Sequence, residues 1–468
     1  MTLPKRTTVL IVGAGPTGLT TAIALSKAGV TDFLIVDALK EGENSSRAMT
    51  VHAATLDSLD TLGCAKPLVQ LGIQGKALQM NDRNNPSAPL VSIDFTTLKG
   101  STKFPYVLIL PQNITEKVLK EHLETQYQVQ VQRPYKVTDV VNGDTLDGQM
   151  KVTFDSGEVV FASYVIGADG AKSTIRQMAE IGYADPDGQS VEETVSQMIF
   201  ADIVFDQKLP IPSDRLNAFG SANAFFGIIP MQPHFIHPET TPDNLEEAKA
   251  AIARGEIVYR IGCHVPSTDG IPPSQPAKDY LQTLVDKYGP LWLNSDKDVN
   301  LNGKSVHITQ VAWSTRFRNH AAIASKFFTR LALPENHKET HTDKRVKPKG
   351  GIVLLVGDAA HIHSPAGGLG MNLGIRDAAG LGPVIAEHIK AVEKKPLFDE
   401  DRVLRTYTEE RYARATQTIH LTKKLLFVLS RVQGSRFVAV RNAIIRFVTG
   451  LSFVKRKIAM RVSGIAIR

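Results

Sequence analysis

The strongest constraint lies near the amino terminus, where the β-branched run Thr8-Val9-Leu10-Ile11-Val12 passes directly into Gly13-Ala14-Gly15-Pro16-Thr17-Gly18 and then into a helical apolar pattern, Leu19 to Ala28. Strand, glycine turn and helix in that order are what a dinucleotide-binding βαβ unit requires. Gly13 permits the tight turn, Gly15 lets a pyrophosphate approach bare backbone, and Gly18 lets helix and strand pack closely. Pro16 suits the first turn of the helix, whose free N–H groups and dipole favour an anion. A second strand pattern, Phe33 to Val36, ends in Asp37, at the spacing of a carboxylate that takes a ribose hydroxyl pair.

The rest of the chain narrows the class. No second GxGxxG occurs, and the two cysteines, Cys64 and Cys263, have no CxxC spacing, so a two-nucleotide disulfide reductase, a disulfide framework and a local zinc site are excluded. No run is apolar for long enough to span a membrane, and no signal-peptide pattern opens the chain, so a cytoplasmic protein is expected. The net charge of +7 is concentrated at one end. Residues 420–468 hold eleven Lys or Arg and no Asp or Glu, which leaves 43 basic against 47 acidic residues elsewhere. A nucleic-acid partner for the body of the protein is therefore not expected.

Two further segments carry strand-to-loop chemistry. Val159 to Ile166 runs into Gly167-Ala168-Asp169-Gly170, with Ser173 and Arg176 following; Ile352 to Val356 runs into Gly357-Asp358-Ala359-Ala360-His361 and on to Ala378. The three motifs, in this order and at this spread, resemble the single-component FAD-dependent aromatic hydroxylases, the class A flavoprotein monooxygenases of the para-hydroxybenzoate hydroxylase fold. The resemblance extends to Arg47 after the second strand, to Gln112 opening a helix, and to Leu404-Arg405-Thr406-Tyr407 ahead of the basic helical tail.

The resemblance implies an α/β fold: a Rossmann-type FAD-binding domain (1–78, 100–180 and 351–395), an inserted β-sheet substrate domain (79–99 and 181–350), and a C-terminal helical region (396–468). It implies FAD as cofactor, NADPH or NADH as transient co-substrate, and hydroxylation of a phenolic or polycyclic aromatic substrate by O2 through a flavin C4a-hydroperoxide. The cofactor would be met by Gly13, Gly15, Pro16, Gly18, Asp37, Arg47, Gln112, Asp169, Asp358, Pro365, Gly368, Gly370, Met371 and Asn372. Among these, Asp358 at a strand end suits ribitol hydroxyls. Pro365, Gly368 and Gly370 would bring bare backbone against a flat ring at the start of a helix whose dipole stabilises reduced flavin. An epoxidase or flavin-dependent reductase of the same fold, and a non-catalytic flavin-holding scaffold docked on membrane, stand as alternatives.

Some positions depart from the family pattern. Ala54 stands where an arginine is frequent, Ala379-Gly380 replaces a pair ending in Asn, and the polar stretch 329–350 is long and is expected to be a surface loop. No strong acid–base constellation is present, as fits chemistry in which the cofactor is the oxidant; His52 is the one catalytic candidate, against the alternative of a locally bonded histidine. Phe225, Phe226, Met231, Trp313 and Phe317 either line the substrate pocket or, as aromatic and apolar strand residues more often do, fill the core. The pairs His361/His363, His234/His237 and His337/His341 lack a completing ligand, so no metal is expected. The basic tail is expected to pack as helices on the FAD domain, the alternative being weak contact with an anionic membrane surface. The protein is expected to be a monomer or homodimer.

Overall fold

The amino-terminal pattern folds as strand, turn and helix. The computed structural model describes residues 2–467 apart from 42–47, 144–147, 190–195, 222–223, 236–249, 251, 333–349, 365–366, 394–398 and 431–437. The strand Arg6–Val12 lies between two parallel neighbours, Phe33–Val36 and Val159–Gly167, and Ile352–Leu355 adds a fourth parallel strand beyond Val159–Gly167. Near-continuous Val, Ile and Leu in these strands reflect burial on both faces. The register is what matters for function: Val36, Val12, Gly167 and Leu355 stand opposite one another, so the four strands end in line. Met150–Phe154 and Val137–Asn142 extend the sheet as an antiparallel pair.

The helix Pro16–Lys27 packs against the long helix Gly370–Glu393. Their crossing is made by missing side chains. A Cβ on Gly382 would lie 2.3 Å from the Ala24 carbonyl carbon, and one on Gly374 would lie 2.5 Å from Thr17 Oγ1. Leu19, Ile23, Ile375, Leu381 and Ile385 fill the core around this crossing.

The stretch expected to be a surface loop is partly ordered into the sheet. Phe328–Arg330 pairs antiparallel with Ile352–Leu355, because Arg330 is held by Asp401, Glu400 and the Gly350 carbonyl; residues 333–349 lie outside those described.

A second sheet has seven strands, in the order Ile308–Asn319, Ser196–Phe205, Val258–Val265, Ala224–Pro230, Arg215–Ser221, Ala77–Asp82 and Asn85–Asp94. One face is closed by the helix Lys278–Tyr288, whose Leu281, Leu284 and Val285 pack on Ile199, Phe226 and Ile261. The register puts Met198, Phe200, Asp202 and Val204 on the opposite face, and Val204 joins the core of the first domain with Met231 and Phe235. Phe226 and Met231 are thus core residues. Phe225 instead stacks on His264 with centroids 5.8 Å apart, Phe317 meets Phe200 at 6.5 Å, and Trp313 lies under the guanidinium of Arg260, itself buried and paired at 2.6 Å with Asp202.

The tail packs on the body. In the helix Arg402–Ser430, Leu404 and Tyr407 enter one core cluster and Ala415 and Ile419 another. The helix Ser452–Val462 and the turn after it bury Ala459, Val462 and Ile465 against Ala53, Ala54, Phe95 and Leu98. Among the described residues, no helix is long and apolar enough to cross a membrane.

Candidate functional site

Because the four parallel strands end in line, Gly13, Asp37, Ala168-Asp169 and Gly357-Asp358 leave the sheet side by side at its carboxyl edge. This is where open α/β sheets bind ligands. Gly13 has φ +103°, and a Cβ there would lie 2.4 Å from the Ala168 carbonyl oxygen, so the turn requires glycine on conformation and on space. A Cβ on Gly18 would lie 1.8 Å from the Gly13 oxygen, which fixes the helix close to the strand. Gly15 differs from both: nothing lies within 4 Å of where its Cβ would be. Bare backbone therefore faces open space at the N-terminus of the helix, with Pro16 in its first turn.

Asp37 Oδ2 accepts a hydrogen bond from Ala14 N–H at 2.7 Å, and Oδ1 accepts from Leu39 N–H at 2.8 Å and from Arg133 at 2.9 Å. The acid thus holds the glycine turn and orders the chain after the second strand. Arg133, which also donates to the carbonyls of Leu39 and Glu41, was not found from the sequence. Its only signal was a lone cation before Pro134, and the contact crosses 96 positions. Gln112 opens the helix Gln112–Tyr127; its N–H donates to Ala48 O at 3.0 Å and its side chain donates to Glu116 at 2.8 Å. Arg47 and Pro365 lie outside the described residues.

Asp169 Oδ2 accepts from the N–H groups of Thr174 and Ile175 at 2.7 and 3.2 Å, so this carboxylate caps the short helix Thr174–Met178 alongside Ser173. Burial raises its pKa above the ordinary carboxylate value, and Oδ1 is buried with no protein partner. Arg176 reaches back to the carbonyls of Ala359 and Ala171, tying the second motif to the third. Asp358 is exposed on the turn Gly357–Ala359.

The third motif and His52 form one unit. Gly368 has φ +63°, and a Cβ there would lie 2.3 Å from Thr50 Oγ1. Asn372 is buried and fully used: its Oδ1 accepts from His52 N–H at 2.7 Å, and its Nδ2 donates to the carbonyls of Thr50 at 2.8 Å and Gly368 at 2.7 Å. Its side chain therefore shapes the Gly367–Gly370 loop, while Met371 packs on the core beside it. His52, at the N-cap of the helix Ala53–Thr61, has Nε2 2.8 Å from Gly367 O, which can only accept. Nε2 then carries the proton, and Nδ1 is a buried acceptor with no protein partner. Burial lowers the His52 pKa to about 4 despite that bond, so the ring is neutral near pH 7. Its bond is not local in sequence, since its partner belongs to the glycine loop 315 positions away. A small cavity joins His52, Asn372 and Arg376 to Thr418, Arg461 and Ser463 of the tail.

No group of three or more His, Cys, Asp or Glu side chains among the described residues could hold a metal ion. His361 pairs instead with the buried Asp377 at 2.7 Å, and His363 Nδ1 lies 3.0 Å from Ser364 O. His237, His337 and His341 lie outside the described residues, as does the side chain of His234.

The donor set suits a dinucleotide whose far end is a flat ring. Open backbone at Gly15, the exposed Asp358, the unpartnered buried oxygen of Asp169 and a glycine loop beside a neutral histidine acceptor lie along one edge. Comparison with known proteins agrees in kind: the family model described as FAD binding domain matches residues 6–261 and 310–422. The chain is 26% identical over 420 residues to pentachlorophenol 4-monooxygenase of Sphingobium chlorophenolicum, a match covering 88% of this chain and 64% of that protein. It thus spans just under two thirds of that relative's length. It is 29% identical over 416 residues to the 12-dehydrotetracycline 5-monooxygenase/anhydrotetracycline 6-monooxygenase of Streptomyces rimosus, covering 89% and 68%. Among solved structures, p-nitrophenol 4-monooxygenase from Pseudomonas putida superposes with a TM-score of 0.69 at 19% identity, covering 98% of each chain, which establishes a shared fold.

Proposed function

Since the chain belongs to the FAD-binding-domain family, matched over most of its length, we propose that it is an FAD-dependent monooxygenase that hydroxylates an aromatic, phenolic or polycyclic substrate. In balance, a ring C–H, O2, reduced nicotinamide and a proton give the ring C–OH, water and oxidised nicotinamide. The observation that carries this reading is the alignment of four strand ends, which gathers the three glycine-bearing motifs on one edge of the sheet. Bound FAD would accept hydride from NADPH or NADH and activate O2.

The residues of this chain then bind, orient and exclude water. Gly13, Gly15, Pro16 and Gly18 would take the pyrophosphate, with Arg47 and Gln112 toward the phosphates and adenosine, and Asp37 at the ribose. Asp358 and Asp169 would take the ribityl side. Pro365, Gly368, Gly370, Met371 and Asn372 would bound the ring system. His52, neutral and with Nδ1 free to accept, is a poor base at pH 7 but suits holding a hydroxyl or ring N–H beside the cradle. The second sheet's face bearing Phe200, Phe225 and Phe317 would cover the reacting ring, which corresponds to a substrate domain of 79–99 and 181–350 between the FAD-binding segments 1–78, 100–180 and 351–395, with 396–468 as the helical region. The reaction would run in the cytoplasm, in a monomer or homodimer.

The test is oxidation of NADPH and NADH by purified, flavin-loaded protein against a panel of phenols and polycyclic phenolics, with peroxide and oxygenated product both quantified. Substrate-stimulated oxidation with stoichiometric product is the expected result. Retained FAD with no stimulation and no product from any ring compound would overturn the hydroxylase reading.

A further inference from the structure

The tail helices pack on the body with one side only. In the helix Val438–Gly450, Asn442 is buried, and Thr449 Oγ1 meets the carbonyl of Leu90 in the edge strand Asn85–Asp94 at 3.4 Å. The following helix, Ser452–Val462, is anchored by buried Ala459 and Val462. On the other side, Ile444 is 57% exposed, Phe447 73% and Val448 42%, at the i, i+3, i+4 spacing of one helical stripe. The stripe continues into the corner between the helices, where Leu451 and Phe453 are 36% and 70% exposed. These are held positions rather than a frayed end, and single monomers rarely leave such a contiguous apolar set in water.

The charge around the stripe identifies what would cover it. Arg456, Lys457 and Arg461 are exposed on the adjoining helix, and residues 420–468 contain no carboxylate side chain. A second copy of the same face would bring like charge against like charge. An anionic nucleic acid would satisfy the cations but leave Phe447 and Phe453 without an apolar partner. A surface that offers negative headgroups above an acyl boundary satisfies both. With 13 and 11 residues the two helices are too short to span a bilayer, so they would lie on it.

We propose that the corner formed by the helices Val438–Gly450 and Ser452–Val462 docks this protein on an anionic membrane surface, with Phe447 and Phe453 inserted and the basic side chains at the headgroups. Docking there holds the edge strand of the second sheet near the interface, where apolar aromatic compounds concentrate. The inference stands on the exposed corner and is independent of the chemistry at the glycine-bearing edge.

The experiment is flotation of the full-length, flavin-loaded protein with vesicles of phosphatidylserine and phosphatidylcholine, and with phosphatidylcholine alone, at low and high salt. The expected result is binding to the phosphatidylserine vesicles that weakens with salt. The Phe447→Ser/Phe453→Ser variant is expected to lose roughly tenfold or more in partitioning, with flavin content and thermal unfolding unchanged. The Arg456→Gln/Lys457→Gln variant is expected to lose several-fold. Absence of binding to phosphatidylserine vesicles overturns the proposal. So does a change from dimer to monomer in sedimentation velocity on Phe447→Ser/Phe453→Ser, which would assign the face to a second copy, or salt-sensitive binding to single- or double-stranded DNA that outcompetes the vesicles. Flavin retention, read in the same samples, reports separately on the cofactor site.

Discussion

Asp358 and His52 mark the two ends of what single side chains do here. Asp358 is exposed at a strand end that also receives Tyr183 through its carbonyl, so removing its carboxylate touches no packed core. Asp358→Ala is expected to weaken FAD binding roughly tenfold or more, measured by fluorescence titration of the apoprotein, while the unfolding free energy of the apoprotein stays within about 0.5 kcal/mol of the parent. Undiminished FAD affinity would remove Asp358 from the cradle. His52 and His363 behave differently, because burial lowers both to about 4 from an ordinary 6.5. Between those values the unfolded chain binds protons that the folded chain refuses, so stability is greatest above pH 6.5 and falls as pH drops toward 4. Each histidine contributes a slope of up to about 1.4 kcal/mol per pH unit in that window. Urea unfolding as a function of pH checks this, and a flat profile from pH 6.5 to 4 would show that neither ring is buried neutral. The glycines Gly13, Gly15 and Gly18 were legible as a motif because their spacing is local. The bonds of Asn372 to Thr50 and His52 were not, since nothing in the composition of residues 50–52 announces a partner more than 300 positions away.

Between elements, the decisive contacts are close approaches and one buried polar chain. At Gly382 the helices Pro16–Lys27 and Gly370–Glu393 meet backbone to backbone, and Gly382→Val is expected to push them apart at a cost of about 2–3 kcal/mol, with loss of bound flavin, read by chemical denaturation and by the absorbance of the purified protein. An unchanged midpoint would mean that the crossing is looser than its geometry. The polar chain runs from Tyr164 Oη to His388 Nδ1 at 2.7 Å, from His388 Nε2 to Asp401 at 3.1 Å, and from Asp401 to Arg330 at 2.7 and 2.8 Å. Burial works against the charge of Asp401, yet the bonds from Arg330 and His388 outweigh it and hold the carboxyl well below its ordinary value. Arg330→Met is expected to cost about 2 kcal/mol, because it leaves the buried Asp401 carboxylate without its guanidinium partner and with His388 alone, and the loss should vanish in strong acid once Asp401 protonates. The sequence announced the strand that carries Tyr164, the helix that carries His388 and the helical region that holds Asp401, but it read residues 329–350, with Arg330, as loop. The strand at Phe328–Arg330 exists because a cation finds its acids 70 and 71 positions later, a tertiary cause that local pattern does not carry.

Across the molecule, the carboxyl-terminal turn closes the site from behind. Ser463 O accepts from Ala54 N–H at 3.1 Å, two residues after His52 in the first turn of the helix, and a Cβ on Gly464, with φ +77°, would lie 2.7 Å from the Arg376 guanidinium. Removal of residues 452–468 is therefore expected to lower the thermal midpoint by several degrees and to reduce flavin retention, whereas a tail that served only as a membrane anchor would leave both unchanged. Differential scanning fluorimetry and the flavin-to-protein absorbance ratio distinguish the two. The sequence alone determined the βαβ start, the three strand-to-loop motifs and the place of the basic charge, because each depends on residues close in the chain: β-branched runs, glycines where backbone must bend or stand bare, and a carboxylate at a strand end. Only the tertiary structure decided that the four strand ends stand in register, that Asp37 is shared with Arg133, that His52 bonds Gly367 and is neutral, and that the tail is packed on one side and bare on the other. Those outcomes depend on which distant groups arrive together and on how much water they leave behind, and chain spacing encodes neither.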